Sequence, residues 1–106
     1  MLLRNFLKKS LVYYLTSQIP EGKISTYGHI AKAMREPNAS RTICKILNIN
    51  PTPVIIPCHR IVYADGQIGG YYEGVNEKIV LLSTEGIIID NKKITNFKDI
   101  LFTDFK

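Results

Sequence analysis

The chain contains no tryptophan and only two cysteines and two histidines in 106 residues. Two cysteines cannot staple a disulfide scaffold, and their scarcity fits a reducing, cytoplasmic location. Cys44, Cys58, His29 and His59 do not fall at tetrahedral ligand spacings, so neither a metal nor another cofactor is expected. No run of about 18 uncharged apolar residues occurs, which excludes a membrane-spanning helix. The start, Met1-Leu2-Leu3-Arg4, lacks the pattern of a secretory signal. Acidic residues are scarce in one half. Residues 1–48 carry two Asp/Glu against eight Lys/Arg, whereas residues 49–106 carry seven against six. A basic half suits a polyanionic partner, most simply nucleic acid, although a lysine-rich solubilising surface would give the same count. Repeats, low-complexity tracts and linkers are also absent. A length of 106 residues with 45% hydrophobic side chains fits one globular, monomeric domain.

What is present reads mainly as helix. Residues 2–19 place Leu3, Phe6, Leu7, Leu11, Tyr14 and Leu15 at helical spacing, with Lys8, Lys9 and Ser10 off that stripe, until Pro20-Glu21-Gly22 ends the run. Ser25 or Thr26 is placed to cap a helix from Tyr27 to Met34 with Ile30, Ala31 and Met34 on one face. After a break at Glu36-Pro37-Asn38, Asn38 is placed to cap a second short helix, Ala39 to Leu47, with Ile43, Ile46 and Leu47 inward. Two short helices around a tight turn make a helix-turn-helix pattern. Pro51 and Pro53 exclude helix, so Val54-Ile55-Ile56 reads as a buried extended run delivering Pro57-Cys58-His59-Arg60. Ile61-Val62-Tyr63, the turn Ala64-Asp65-Gly66, and Gln67-Ile68 read as a small β hairpin. Gly69, Gly70 and Gly74 flank two tyrosines in a loop. A last helix opens at Val75 or Asn76 and runs towards Glu85, with Gly86 as its left-handed stop. Residues 87–94 form a second hairpin or an irregular packing segment. The fold class is thus mainly α, a winged helix-turn-helix domain with a small β hairpin.

Cys58 stands out on chemical grounds. A thiol is a poor nucleophile until ionised, and the imidazole of His59 next to it is a base. Consecutive side chains of an extended chain point to opposite faces, so the pair needs a tight turn or a bridging water to communicate. Glu85 is the carboxylate placed to orient that imidazole. A cysteine buried for packing beside a hydrogen-bonded histidine is the plainer reading of a lone Cys-His pair.

The string Pro53-Val54-Ile55-Ile56-Pro57-Cys58-His59-Arg60-Ile61-Val62 closely resembles the active-site segment of the O6-alkylguanine-DNA alkyltransferases, the methylated-DNA–protein-cysteine methyltransferases. Their Pro-Cys-His-Arg core is highly specific. Gly22-Lys23-Ile24-Ser25-Thr26-Tyr27 resembles the family's lead into its helix-turn-helix. Arg41, seventeen residues before Cys58, stands where the family places an intercalating arginine. Asn50-Pro51-x-Pro53, Gly69-x-Tyr71 and Leu81-Leu82-x-x-Glu85-Gly86 also match, so the likeness spans about residues 5–90.

The resemblance implies double-stranded DNA carrying O6-alkylguanine as partner and Cys58 as acceptor of the alkyl group. His59 would take the thiol proton through a water, and Glu85 would polarise His59. Tyr27 would donate to the departing base, assisted by Lys78, and Asn50 would hold the hinge near the thiol. The carbonyls of Cys58 and Ile61 would read the guanine amino group, and Tyr71 and Tyr72 would close over the base. Arg41 would fill the stack left by a flipped nucleotide. Small Ala39 and Ser40 would allow close approach to the backbone, and Lys45, Lys32 and Arg35 would meet phosphates. A thioether product cannot be hydrolysed by these groups, so the protein would act once. Cys44-Lys45 and Tyr72-Glu73 depart from the small residues usual in relatives, and the family's customary amino-terminal domain has no counterpart, leaving residues 1–106 as a single DNA-binding and catalytic domain. Two other functions compete. The alkyltransferase-like sensors bind O6-alkylguanine without repair and typically carry tryptophan in place of the cysteine. A plain winged helix-turn-helix regulator would leave Cys58 without a role.

Overall fold

A computed structural model describes residues 2–50, 52, 55–71 and 73–106, with the side chains of residues 2–6 not described. Helix α1 spans Leu2–Thr16, followed by a short strand β1 (Ser25–Thr26) that runs directly into α2 (Tyr27–Ala33). Helix α3 (Ser40–Asn48) completes the helix-turn-helix. Strand β2 (Ile61–Val62), helix α4 (Val75–Thr84), strands β3 (Ile89–Asp90) and β4 (Lys93–Ile94), and a one-turn helix α5 (Phe97–Ile100) follow. The domain is mainly helical, a winged helix-turn-helix with a small β hairpin.

Helix α2 starts where a capping residue predicts it. The Thr26 hydroxyl accepts from the His29 N–H at 3.0 Å, satisfying one of the donors that a helix start leaves open. Helix α3 begins at Ser40 instead of Ala39, and its N-cap is Ala39 with no side-chain bond, so Asn38 does not cap it. Its inner face is nevertheless the expected one, with Ile43, Ile46 and Leu47 buried.

Helix α1 buries a different face from the one its spacing suggested. Leu7, Leu11 and Tyr14 are exposed, and the buried stripe is Val12, Leu15 and Thr16, continued by Ile19 beyond the helix. Of the expected stripe only Leu15 faces inward among the described side chains; Leu3 and Phe6 lie outside them. The helix is apolar on more than one side, so two overlapping 3.6-residue stripes exist and packing chooses between them. Thr16 joins the core because its hydroxyl donates to the Val12 carbonyl at 2.7 Å, leaving no polar atom unpaired.

The apolar run before the cysteine is not a buried strand. Ile55 is 78% exposed and Ile56 half-buried, while Pro51, Pro53 and Val54 lie outside the described residues. The Ile56 N–H returns to the Thr52 carbonyl at 2.9 Å, so the chain turns here. The expected hairpin at residues 61–68 exists only as its turn, closed by Gly66 N–H to Tyr63 O at 3.0 Å. Ile61 and Val62 pair instead in parallel with Ser25 and Thr26. The true hairpin is β3–β4, with Ile89 opposite Ile94. Its two turn residues, Asn91 and Lys92, both adopt positive φ (51° and 59°), the geometry of a type I′ turn.

Two apolar clusters result. One, under the helices, includes Val12, Ile30, Ile43, Cys58 and Ile61; the other, towards the hairpin, includes Ile24, Val62, Ile68, Leu82 and Ile94. Strand β2 contributes Ile61 to the first and Val62 to the second, because side chains alternate along a strand. No helix among the described residues is long and apolar enough to cross a membrane.

Candidate active site and nucleic-acid face

The turn that a cysteine–histidine pair requires is present. Cys58-His59-Arg60 form a single 3₁₀ turn, closed by Arg60 N–H to Pro57 O at 2.9 Å. The turn sits at the seam between β2 and the helical cluster. His59 is fully buried, and its Nε2 lies 2.8 Å from Glu85 Oε2. The other ring nitrogen, Nδ1, has no hydrogen-bond partner among the described residues.

Glu85 owes its position to the end of α4. Gly86 at φ +87° sends its N–H to Ser83 O and Ile87 sends its own to Leu82 O, which closes the helix around the glutamate. A carboxylate at a helix C-terminus is unfavourable to the helix dipole, and donors from elsewhere offset this. Arg60 spans both oxygens, Nε to Oε1 at 2.9 Å and Nη2 to Oε2 at 2.8 Å, and the Gly22 N–H reaches Oε1 at 3.3 Å. The remaining Arg60 nitrogen, Nη1, donates to Ile19 O at 2.9 Å. Burial pushes the Glu85 carboxyl up, but the hydrogen bonds from Arg60 and His59 outweigh it and hold the group below its usual range. Burial pulls the His59 imidazole down, against the raising effect of Glu85. The pair is therefore a neutral imidazole aligned by a carboxylate.

The thiol is nearly enclosed, with Cys58 6% exposed. Asn50 Nδ2 lies 3.3 Å from its sulfur and 2.8 Å from Ile56 O, while Asn50 Oδ1 accepts from Thr52 N–H at 2.9 Å. Asn50 thus pins the turn and touches the nucleophile. Burial raises the Cys58 pKa, opposed by the Asn50 amide, the Lys78 charge and a hydrogen bond from Tyr71. Lys78 is itself fully buried on α4, donating to Ile61 O at 2.7 Å and Gly70 O at 3.1 Å. Desolvation brings its pKa down to about 8, with Cys58 pulling the other way. The Ile61 carbonyl, expected to read a base, accepts from Lys78 Nζ.

Cys58 faces a slit of about 10 Å³ bounded by Tyr27, Leu47, Asn48, Gly70 and Tyr71. Four of these residues, Tyr27, Asn48, Gly70 and Tyr71, also line a cleft of about 380 Å³, a volume that can hold a small ligand. Tyr27 is held protonated, its pKa raised by burial and by the neighbouring Cys44. A second cleft of about 400 Å³ on the helix-turn-helix side carries Ser40 and Arg41 with Tyr27, Cys44 and Tyr63. Arg41, Lys45, Lys32 and Arg35 are exposed, and Ala39 and Ser40 half-buried. The structure therefore brings together Cys58, His59, Glu85, Asn50, Lys78, Tyr27 and Tyr71, and sets Arg41 beside the adjoining cleft. Tyr72 lies outside the described residues. Sequence reasoning missed three participants. Arg60 stands inside the motif but its partner lies 25 residues away, Cys44 stands out only as a departure from the family's pattern, and Tyr63 only as a strand residue.

Comparison with known families decides the relationship. Residues 8–87 match the DNA-binding domain of 6-O-methylguanine DNA methyltransferase. The chain belongs to that family. Within it, this chain is 42% identical over 104 residues to a Thermoplasma volcanium protein called a bifunctional methyltransferase/endonuclease, covering 96% of this chain and 32% of that one. The crystal structure of Mycobacterium tuberculosis OGT in complex with DNA is 36% identical, covers 74% of this chain and 48% of that one, and gives a TM-score of 0.71. Schizosaccharomyces pombe ATL in complex with DNA is 25% identical, covers 92% of this chain and 95% of that one, and gives a TM-score of 0.77. The chain thus spans about a third of the Thermoplasma relative and about half of the mycobacterial one.

Proposed function

We propose that this domain moves an alkyl group from O6 of guanine in duplex DNA onto its own Cys58, once per chain. The observation that carries this reading is the Cys58 thiol facing a narrow slit between Tyr27 and Tyr71 that adjoins the cleft of about 380 Å³, touched by Asn50, with the neutral His59 of the same turn aligned by Glu85. His59 Nδ1 is the ring atom left to receive the thiol proton by way of a water. The sulfur electron pair then forms the S–C bond as the C–O6 bond breaks and its electrons pass to the purine. Tyr27, kept protonated, donates a hydrogen bond to the departing base as negative charge develops on it, and the purine anion then regains a proton from solvent. Lys78 places a cation near the sulfur, favouring the thiolate as the reaction proceeds. Asn50 and the Tyr71 contact hold the sulfur on line. The target base is stacked inside the duplex, so it must swing out to reach a buried thiol, and Arg41 is the exposed cation beside the adjoining cleft that would replace it in the stack.

The likeness to the yeast ATL supports a second reading, a sensor that binds the lesion without repairing it. The presence of Cys58 with an aligned base favours transfer. Intact-mass spectrometry after incubation with an O6-methylguanine duplex separates the two. Transfer predicts a mass gain of one methyl group in place of a proton, absent in Cys58→Ala. Tight, lesion-selective binding with no mass change would establish the sensor.

A further inference from the structure

Tyr63 is the residue that the proposed chemistry leaves without a task. It is 48% exposed and lines both clefts, standing with Tyr27 and Cys44 between the side that holds Arg41 and the side that leads to Cys58. Exposed tyrosines on mobile loops are ordinary surface. This one is held from three directions. Its N–H donates to Gln67 O at 2.9 Å, and its carbonyl accepts from Gly66 N–H at 3.0 Å. Its ring packs against Tyr27 with centroids 6.1 Å apart and planes tilted by 46°. The third support is Gly69. A Cβ built there would stand 3.2 Å from Tyr63 Cζ and 3.3 Å from Cε1, so the ring lies directly on the glycine backbone. Gly69 also holds φ at +73°, which a larger residue would adopt at a cost.

A rigid aromatic with part of its surface open loses little conformational entropy when a flat ligand covers it. Nucleobases present such a flat π surface, and aromatic side chains bind them by stacking in a sequence-tolerant way. Resting on the reading of the domain as a DNA alkyltransferase, we propose that Tyr63 is a nucleobase-binding residue, a fixed aromatic wall that receives the face of the extruded base between Arg41 and Cys58.

The test measures binding, with Cys58→Ala in every arm so that no transfer intervenes. Duplexes with and without a single O6-methylguanine are titrated against the parent chain, Tyr63→Phe, Tyr63→Leu and Tyr63→Ala. Stacking predicts that Tyr63→Phe binds the damaged duplex within about twofold of the parent, whereas Tyr63→Leu and Tyr63→Ala lose about tenfold, a typical loss for one base–aromatic stack. All four should bind the undamaged duplex alike. Leucine fills the space over Gly69 without a π face, so its loss cannot be ascribed to a void. The proposal is overturned if leucine binds as tightly as tyrosine, if damaged and undamaged duplexes weaken together, or if the parent shows no preference for damage. Failure of the alkyltransferase reading shows separately, as an intact Cys58 chain that gains no methyl mass while the stacking comparison retains its outcome.

Discussion

His59 gives the site its pH signature. Burial lowers its pKa, so the imidazole stays neutral in the folded protein to pH values below its ordinary value of about 6.5. A general base must be neutral to act. The single-turnover transfer rate, followed by rapid quench, should therefore not fall as pH drops from 8 to 6.5, rising by at most about twofold as Lys78, brought down to about 8, takes up its proton, and should decline only below that. A decline centred above 6.5 would remove His59 as the base. The same shift has a stability consequence. The unfolded chain takes up this proton before the folded one, so stability should also fall as pH drops below about 6.5. At this scale the residues differed in how readable they were. Cys58 and His59 stand side by side, and the need for a turn between them follows from strand geometry alone. Arg60 was not legible as the clamp on Glu85, because nothing in a local pattern states which distant carboxylate a guanidinium will meet.

Among the elements, α2 and α3 were legible because caps and breakers agree with their periodicity: Thr26 caps α2, and Glu36-Pro37-Asn38 interrupts the pattern before α3. Helix α4 was legible for the same reason, with Gly86 as its stop. Helix α1 was legible as a helix but not in its orientation, since Leu7, Leu11 and Tyr14 compete with Val12, Leu15 and Ile19 for the inner face. The run before Pro57 misled because β-branched residues between prolines read as strand, whereas the described residues Ile55 and Ile56 lie in a turn. The turn after α2 carries its own prediction. Arg35 sits at φ +61° where glycine is the usual occupant, and its N–H and that of Glu36 close the helix onto Lys32 and Ala31. The left-handed region is costly for a residue with a Cβ. Arg35→Gly should raise unfolding stability by about 0.5–1 kcal/mol, seen as a melting point a few degrees higher, and should weaken duplex binding if the guanidinium meets a phosphate. A melting point unchanged or lower would show that the backbone at this position carries no strain.

For the whole molecule, charge asymmetry and fold coincide. The basic half of the chain folds into α1 through α3, and Lys32, Arg35, Arg41 and Lys45 all remain exposed there. Phosphate contacts release counterions, so each one steepens the salt dependence of binding by roughly one in the log–log slope. Lys45→Ala should weaken all duplexes alike and reduce that slope by about 1; an unaltered slope would place Lys45 off the DNA. The same view brings out what Glu85 does to the order of assembly. Its carboxylate joins Gly22 to the adjacent pair His59 and Arg60, two segments that are otherwise far apart along the chain. Proteins are made from the amino terminus, so a growing polypeptide carries its thiol and imidazole well before the carboxylate that aligns them has been synthesised. The aligned thiol–imidazole–carboxylate set is therefore assembled only after α4 and the residue that follows it have been made and packed.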